Sequence, residues 1–213
     1  MSIIVGGRER EKNTYFWILI LVVVASLGVS EAKERVKLAP DTPDTEIIFM
    51  NPAEVDSSLL PLDSIKNLHT TGIPPENLDI GSWRLEISGV KAQSPLSLSY
   101  EELLALPMVK KKVLLICPGF FADYAEWEGV PLRTLLERAQ VEEYRRIRLV
   151  GIDGYEVFFT QRELEEEKLD LLFLALRVNG EALPLEHGFP VRLVAEDFYG
   201  SRWVKWLKEI VVE

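Results

Sequence analysis

Residues 113–132 read Val-Leu-Leu-Ile-Cys-Pro-Gly-Phe-Phe-Ala-Asp-Tyr-Ala-Glu-Trp-Glu-Gly-Val-Pro-Leu, and the rest of the chain is arranged around them. The apolar run Val113 to Ile116 has the length of a buried strand and delivers the only cysteine of the sequence, Cys117, to its end. Pro118 cannot donate to a sheet ladder and Gly119 tolerates backbone angles closed to other residues, so the strand is predicted to stop at the thiol. An aromatic-rich loop is expected next, closed by Gly129-Val130-Pro131-Leu132, where a helix begins. Such an arrangement presents one reactive atom.

Composition narrows the functions open to the chain. A 213-residue sequence that is 47% hydrophobic can bury a real core. A formal charge of −10 disfavours general nucleic-acid or anionic-lipid binding, which needs a basic face, so any anion site must be local. A single cysteine rules out an internal disulfide framework and any multi-cysteine zinc or iron–sulfur site built from this chain alone.

Arg8, Arg10 and Lys12 precede an apolar stretch, Tyr15 to Val29, with small residues Ser30 and Ala32 beyond it. A signal-peptide core runs ~7–15 residues and a spanning helix ~20, so residues 1–32 are predicted to be either a cleaved signal or a retained membrane anchor. Both place the remaining chain outside the cytoplasm, with the basic end inside. Residues 33–75 are rich in Pro, Asp, Ser and Thr and are predicted to form a linker that becomes an extended arm, packing on the domain from about residue 65. Residues 76–213 are predicted to be the compact domain.

Within that domain, Trp83, Leu85 and Ile87 alternate with Arg84 and Glu86 as a half-buried strand does. Ser99 and Glu102 form a capping box before a short helix, and Thr160 with Glu163 forms a second. Lys110, Lys111 and Lys112 suit a solvated sheet edge. Leu132, Leu135 and Leu136 give a helix one apolar face. Asp153-Gly154 and Asn179-Gly180 are hairpin turns, and a final strand runs to Val212. The predicted fold class is α+β, rich in mixed β-structure with short helices.

The last stretch reverses the charge balance of the chain. His187, Arg192, Arg202, Lys205 and Lys208 outweigh Glu196 and Asp197, and short glycine turns lie among them. Convergent cations and free backbone amides are what a phosphate or other anion site needs; a solvent-exposed basic edge is the other reading. Core packing is the expected use of Trp203 and Trp206.

Three separated pieces together resemble the molybdopterin-binding domain of the sulfite oxidase superfamily, which includes plant nitrate reductases and periplasmic methionine-sulfoxide reductase catalytic subunits. They are Cys117 with Trp127-Glu128-Gly129-Val130-Pro131-Leu132, the run His187-Gly188-Phe189-Pro190-Val191-Arg192-Leu193, and Tyr199-Gly200-Ser201-Arg202-Trp203-Val204-Lys205-Trp206-Leu207. The resemblance implies that Cys117 ligates molybdenum, a soft thiolate beside the sulfur donors of a Mo-molybdopterin cofactor. It implies pterin contacts at His187 and Arg192, and cofactor-phosphate contacts along Ser201, Arg202, Trp203, Val204 and Lys205. It also implies contacts from Asn67, His69 and Thr70 on the arm, and from Asp153 at a strand end.

The implied chemistry is two-electron oxygen-atom transfer on a small or peptide-borne substrate, with electrons exchanged through a haem protein or quinone-linked membrane subunit. Sulfite oxidases hold their anionic substrate with arginines after the cysteine. The segment here carries Asp123, Glu126 and Glu128 and no arginine, which disfavours sulfite or nitrate and points to a neutral sulfoxide or an unfamiliar substrate instead. The alternative is a metal-free, membrane-tethered binding domain of the same fold, and metal content separates the two.

Overall fold

The computed structural model describes residues 34–164 and 166–213. The signal or anchor expected at 1–32 lies outside them; among the described residues no helix is long and apolar enough to cross a membrane. Arg35–Glu213 form one compact unit, so chain belonging to the domain body begins well before the expected start at residue 76.

The arm contributes β1 (Val36–Lys37), a helical turn α1 (Asp44–Ile47) and β2 (Val55–Asp56), with β1 and β2 paired in parallel. The domain proper follows with β3 (Leu85–Ser88), β4 (Leu96–Leu98) and the helix α2 (Tyr100–Leu104). Ser99 and Glu102 close the predicted capping box at the start of α2, each side chain holding the other's backbone amide. Then come β5 (Val109–Cys117), β6 (Phe121–Pro131) and the helix α3 (Leu132–Arg138). The remaining strands are β7 (Arg146–Gly151), β8 (Glu156–Thr160), β9 (Leu172–Val178), β10 (Glu181–Ala182), β11 (Arg192–Ala195) and β12 (Leu207–Val212). Two five-stranded sheets result. One runs β10-β9-β6-β5 with β11 also on β9; the other runs β4-β3-β12-β7-β8 and is mixed, because β12 is parallel to β3 and antiparallel to β7.

The segment after Cys117 departs from expectation. It is an eleven-residue strand, not a loop: β6 pairs antiparallel with β5 from Val109↔Gly129 to Cys117↔Phe121. The Pro118-Gly119 turn is therefore a hairpin tip, with Gly119 at φ +76° and Phe120 N–H bonded to the Cys117 carbonyl at 3.0 Å. Both faces of this hairpin are covered, which explains the uninterrupted apolar run at Val113–Ile116. Val113, Leu115, Ala125 and Trp127 enter the main core. Leu114, Ile116, Ala122 and Tyr124 face the other way, into a small second core with Leu38, Ile47 and Val55 of the arm. The arm is thus the second layer over the hairpin, which its proline-rich composition conceals.

The bulge between Glu128 and Gly129 brings β6 so close to β9 that a Cβ on Gly129 would sit 1.9 Å from the Leu174 carbonyl oxygen. Lys110 and Lys112 are exposed on the β5 edge as predicted, while Lys111 reaches Glu196 at 2.8 Å. The Asn179-Gly180 hairpin forms with both residues at positive φ, 49° and 82°. Thr160 and Glu163 exchange bonds as a capping box does, though the residues between them form a turn.

Candidate functional site

Cys117 ends β5 half-buried, its sulfur against the backbone of the 3₁₀ turn Gly200–Arg202: a Cβ on Gly200 would lie 2.5 Å from Sγ. Only glycine lets this turn approach the thiol so closely. Burial, then the charge of Asp123, pushes the thiol above its ordinary value, and Arg192 opposes them. A coordinated metal cation reverses that balance by stabilising the thiolate.

Arg192 opens β11 and is 94% buried, being only 6% exposed. Its guanidinium carbon lies 4.8 Å from the Trp127 ring centre and 5.2 Å from that of Trp203, a cation packed against a pair of edge-to-face indoles. Nη1 donates to the His187 carbonyl at 3.1 Å, whereas Nε is buried without a partner. Burial lowers the guanidinium to about 10, with Asp123 and Cys117 acting in the other direction. An unpaired donor on a buried cation is costly.

His187 is buried in the same cluster, its ring hydrogen-bonded to the backbone of Ile65, which ties the arm to the site. Burial, then Arg192, holds its imidazole below the ordinary value. Gly188 follows at φ +115°, where a Cβ would press within 2.9 Å of Arg192 and 3.1 Å of Lys205. Lys205 donates to the carbonyls of Thr71 and, at 2.9 Å, Glu186, and its Nζ stands 4.4 Å from the Trp206 ring centre. Burial and the nearby Arg192 bring Lys205 down to about 8, although Asp153 and Glu186 act to raise it. Trp206 itself sits at φ 51°, fixed by bonds from its N–H to the Gly188 carbonyl and from Nε1 to the Leu185 carbonyl. Two partly desolvated cations with carbonyl partners and, among the described residues, no carboxylate in contact are what an anion site needs.

The arm delivers a third element. Asp123 on β6 is 3% exposed and accepts from the His69 N–H at 3.0 Å, and it bonds His69 Nδ1 at 2.7 Å. The His69 ring stacks on Phe121 with centres 4.6 Å apart, and Phe121 is the register partner of Cys117. Desolvation raises the Asp123 carboxyl while His69 lowers it. Sequence reading took Asp123, Glu126 and Glu128 as an acidic loop beside the thiol. Their β6 positions give each a partner: Asp123 holds His69, and Glu126 and Glu128 lie 3.3 Å and 3.5 Å from Lys110.

The expected site residues thus divide. Cys117, His187, Arg192 and Lys205 converge, with Trp203 as a ring platform and Val204 buried in the strand connection, its carbonyl accepting from Leu193 N–H at 2.7 Å. Asn67 and Thr70 are exposed beside His69. Asp153 turns one oxygen back onto the Tyr155 N–H at 3.0 Å, and Ser201 offers its carbonyl to the Tyr155 hydroxyl at 2.6 Å. Arg202 is engaged elsewhere: it bonds Glu163 at 2.9 Å and the Phe158 carbonyl at 2.8 Å, and it lies over the rings of Phe159 and Phe198. Its charge is consumed in holding β8 to the final turn. Sequence reading missed the roles of Trp127, Asp123 and Gly200. The period-two pattern of β6 could have identified Asp123, since Phe121, Asp123, Ala125 and Trp127 share one face.

A β-rich domain that holds one thiol against a glycine turn, above a buried unpaired arginine and a desolvated lysine, defines a site for an anionic cofactor bearing a thiolate-bound metal. The donor set fits such a group: a soft sulfur for the metal, a vacant Nε–H donor, and an amine suited to phosphate. Residues 71–213 match the oxidoreductase molybdopterin binding domain family, and the chain belongs to that family. It is 32% identical over 144 residues to the uncharacterized oxidoreductase YuiH of Bacillus subtilis, covering 67% of this chain and 71% of that one. It is 29% identical to mitochondrial sulfite oxidase of Homo sapiens over 168 residues, covering 66% of this chain and 31% of the enzyme. Among solved structures, the sulfane dehydrogenase SoxCD of Paracoccus pantotrophus superposes with a TM-score of 0.57 at 30% identity, over 64% of this chain and 39% of that one. The chain spans only 18–20% of the length of the plant nitrate reductases it matches.

Proposed function

We propose that this domain is a molybdenum-cofactor-dependent oxidoreductase that carries out two-electron oxygen-atom transfer on a neutral, sulfoxide-like substrate outside the cytoplasm. The observation that carries the reading is the buried, unpartnered Nε of Arg192, whose charge acts on a thiol whose packing admits only glycine. Cys117 would hold the metal through its thiolate. Arg192, packed against Trp127 and Trp203, would donate Nε–H to the polar edge of the pterin, and Lys205 would neutralise the phosphate. The cofactor, when bound, supplies the two-electron redox step; the protein orients it and sets the local field.

Substrate class follows from the charges left over. Residues 118–132 contain no lysine or arginine, and buried Arg192 and half-buried Lys205 would be taken up by the cofactor. A neutral oxygen donor therefore suits the thiol side better than sulfite or nitrate. The basic-then-apolar N-terminus supports export and membrane attachment. Electrons would come from a haem protein or a quinone-linked membrane subunit.

Metal and pterin analysis of protein produced in cells that make the molybdenum cofactor tests the assignment. The unaltered protein should carry close to one molybdenum per chain, and Cys117→Ser should lose most of it while remaining folded. Unaltered protein free of molybdenum and pterin would refute the enzyme and favour a metal-free binding domain.

A further inference from the structure

We propose that His69 is the proton donor to the substrate oxygen and that Asp123 is its positioning residue. This rests on the oxygen-transfer reading above and goes beyond it by assigning the proton path.

Four observations converge. Asp123 is a buried carboxylate whose hydrogen bonds, among the described residues, all go to His69, through both the backbone N–H and ring Nδ1. A carboxylate on Nδ1 orients an imidazole, fixes a proton on that nitrogen and leaves Nε2 to exchange protons with a second group. The His69 side chain is 51% exposed, so Nε2 is on the open side of the dyad. Phe121, on which the ring stacks, lies directly across the hairpin from Cys117, and Asp123 is two residues further along the same face, about 7 Å by strand geometry. The dyad thus stands on the thiol's own face of the hairpin, at its solvent side.

The chemistry needs such a group. Reduction of a sulfoxide breaks the S–O bond and releases the oxygen as water: R₂SO + 2 e⁻ + 2 H⁺ → R₂S + H₂O. The electrons come from the reduced cofactor, recharged by a one-electron haem or quinol carrier. Of the two protons taken up by oxygen, His69 Nε2–H supplies the first and bulk water the second. Asp123 keeps the Nδ1 proton in place throughout and balances the imidazolium charge before transfer. The other charged groups near the dyad do not replace it: Arg192 is buried against Trp127 and Trp203 and bonds the His187 carbonyl, and Asp63 is bound to the Tyr124 N–H at 2.8 Å.

Two measurements test this. The sequence has only two histidines, so imidazole ¹⁵N–¹H spectra of the full protein are assignable by difference against His187→Gln. His69 should show an Nδ1-bound proton protected from exchange, and Asp123→Asn should remove that protection; an unprotected Nδ1 in the unaltered protein would overturn the dyad whether or not cofactor is present. In the loaded enzyme, with dimethyl sulfoxide as probe and reduced benzyl viologen as donor, His69→Ala should lower kcat by about 10²-fold. KM should move less than about twofold, the molybdenum content should stay unchanged, and added imidazole should restore part of the rate. Unchanged kcat, or activity lost in proportion to molybdenum, would overturn the proton-donor role, the second outcome making His69 a cofactor-holding residue alone. If the unaltered protein lacks molybdenum, the proposed function fails with the role, whereas the spectra still decide the dyad.

Discussion

Arg192 and Arg202 lie ten residues apart in the same basic segment, and each guanidinium packs against an edge-to-face pair of aromatic rings. Around Arg202 the chain supplies a carboxylate to Nη1, a backbone carbonyl to Nη2 and two phenyl rings. Around Arg192 only one carbonyl answers, and Nε is left bare in the interior. The same residue type against the same kind of ring pair is a strut in one region and keeps a free donor in the other. What separates them is the count of satisfied donors, because an unmet buried donor costs stability that only a ligand can restore.

That contrast predicts opposite signs. Arg192→Met should lower molybdenum occupancy by about tenfold or more, the scale of one charge-assisted hydrogen bond, and should stabilise the cofactor-free protein by about 1–3 kcal/mol in denaturant titrations. Loss of stability in the cofactor-free Arg192→Met protein would break the comparison. Gly200→Ala places a methyl against Sγ and should cost about 1–3 kcal/mol while slowing alkylation of Cys117 by a small maleimide in the cofactor-free protein. Arg202→Met should destabilise by about 1–2 kcal/mol, seen as a lower thermal midpoint, with molybdenum per chain unchanged.

The smallest effect concerns His187, whose folded imidazole titrates below its ordinary value of 6.5 because burial and Arg192 disfavour the charged form. The unfolded chain then binds more protons between the two values. The contribution is fully present above about pH 6.5 and is lost as pH falls through the folded value. Denaturant midpoints at pH 7.5 and 5.5 should therefore converge more in His187→Gln than in the unaltered protein. An equal pH dependence in both would remove His187 from the site's electrostatic balance.

Much of the site was legible because it uses rare residue types at recognisable spacings. One cysteine after an apolar run, His187 five residues before Arg192, and Lys205 within an aromatic segment converge as their motifs imply. Arg202 shared that motif and went elsewhere, since nothing local encodes Glu163, thirty-nine residues away, as its partner. The capping box at Ser99, the Asn179-Gly180 hairpin and the helix at Leu132–Arg138 were equally plain, being settled by neighbours in sequence.

The sequence by itself determined that Cys117 ends a strand at a glycine turn and that a basic, aromatic tail accompanies it, because turn chemistry and residue type act over a few bonds. Only the tertiary structure decided that residues 121–131 extend as a strand, that the proline-rich arm forms the second layer over it, and which cations remain unpaired. Those outcomes depend on both hairpin faces finding cover and on donors finding acceptors across long stretches of chain. Burial and hydrogen-bond satisfaction are properties of the packed molecule, and they distinguish Arg192 from Arg202.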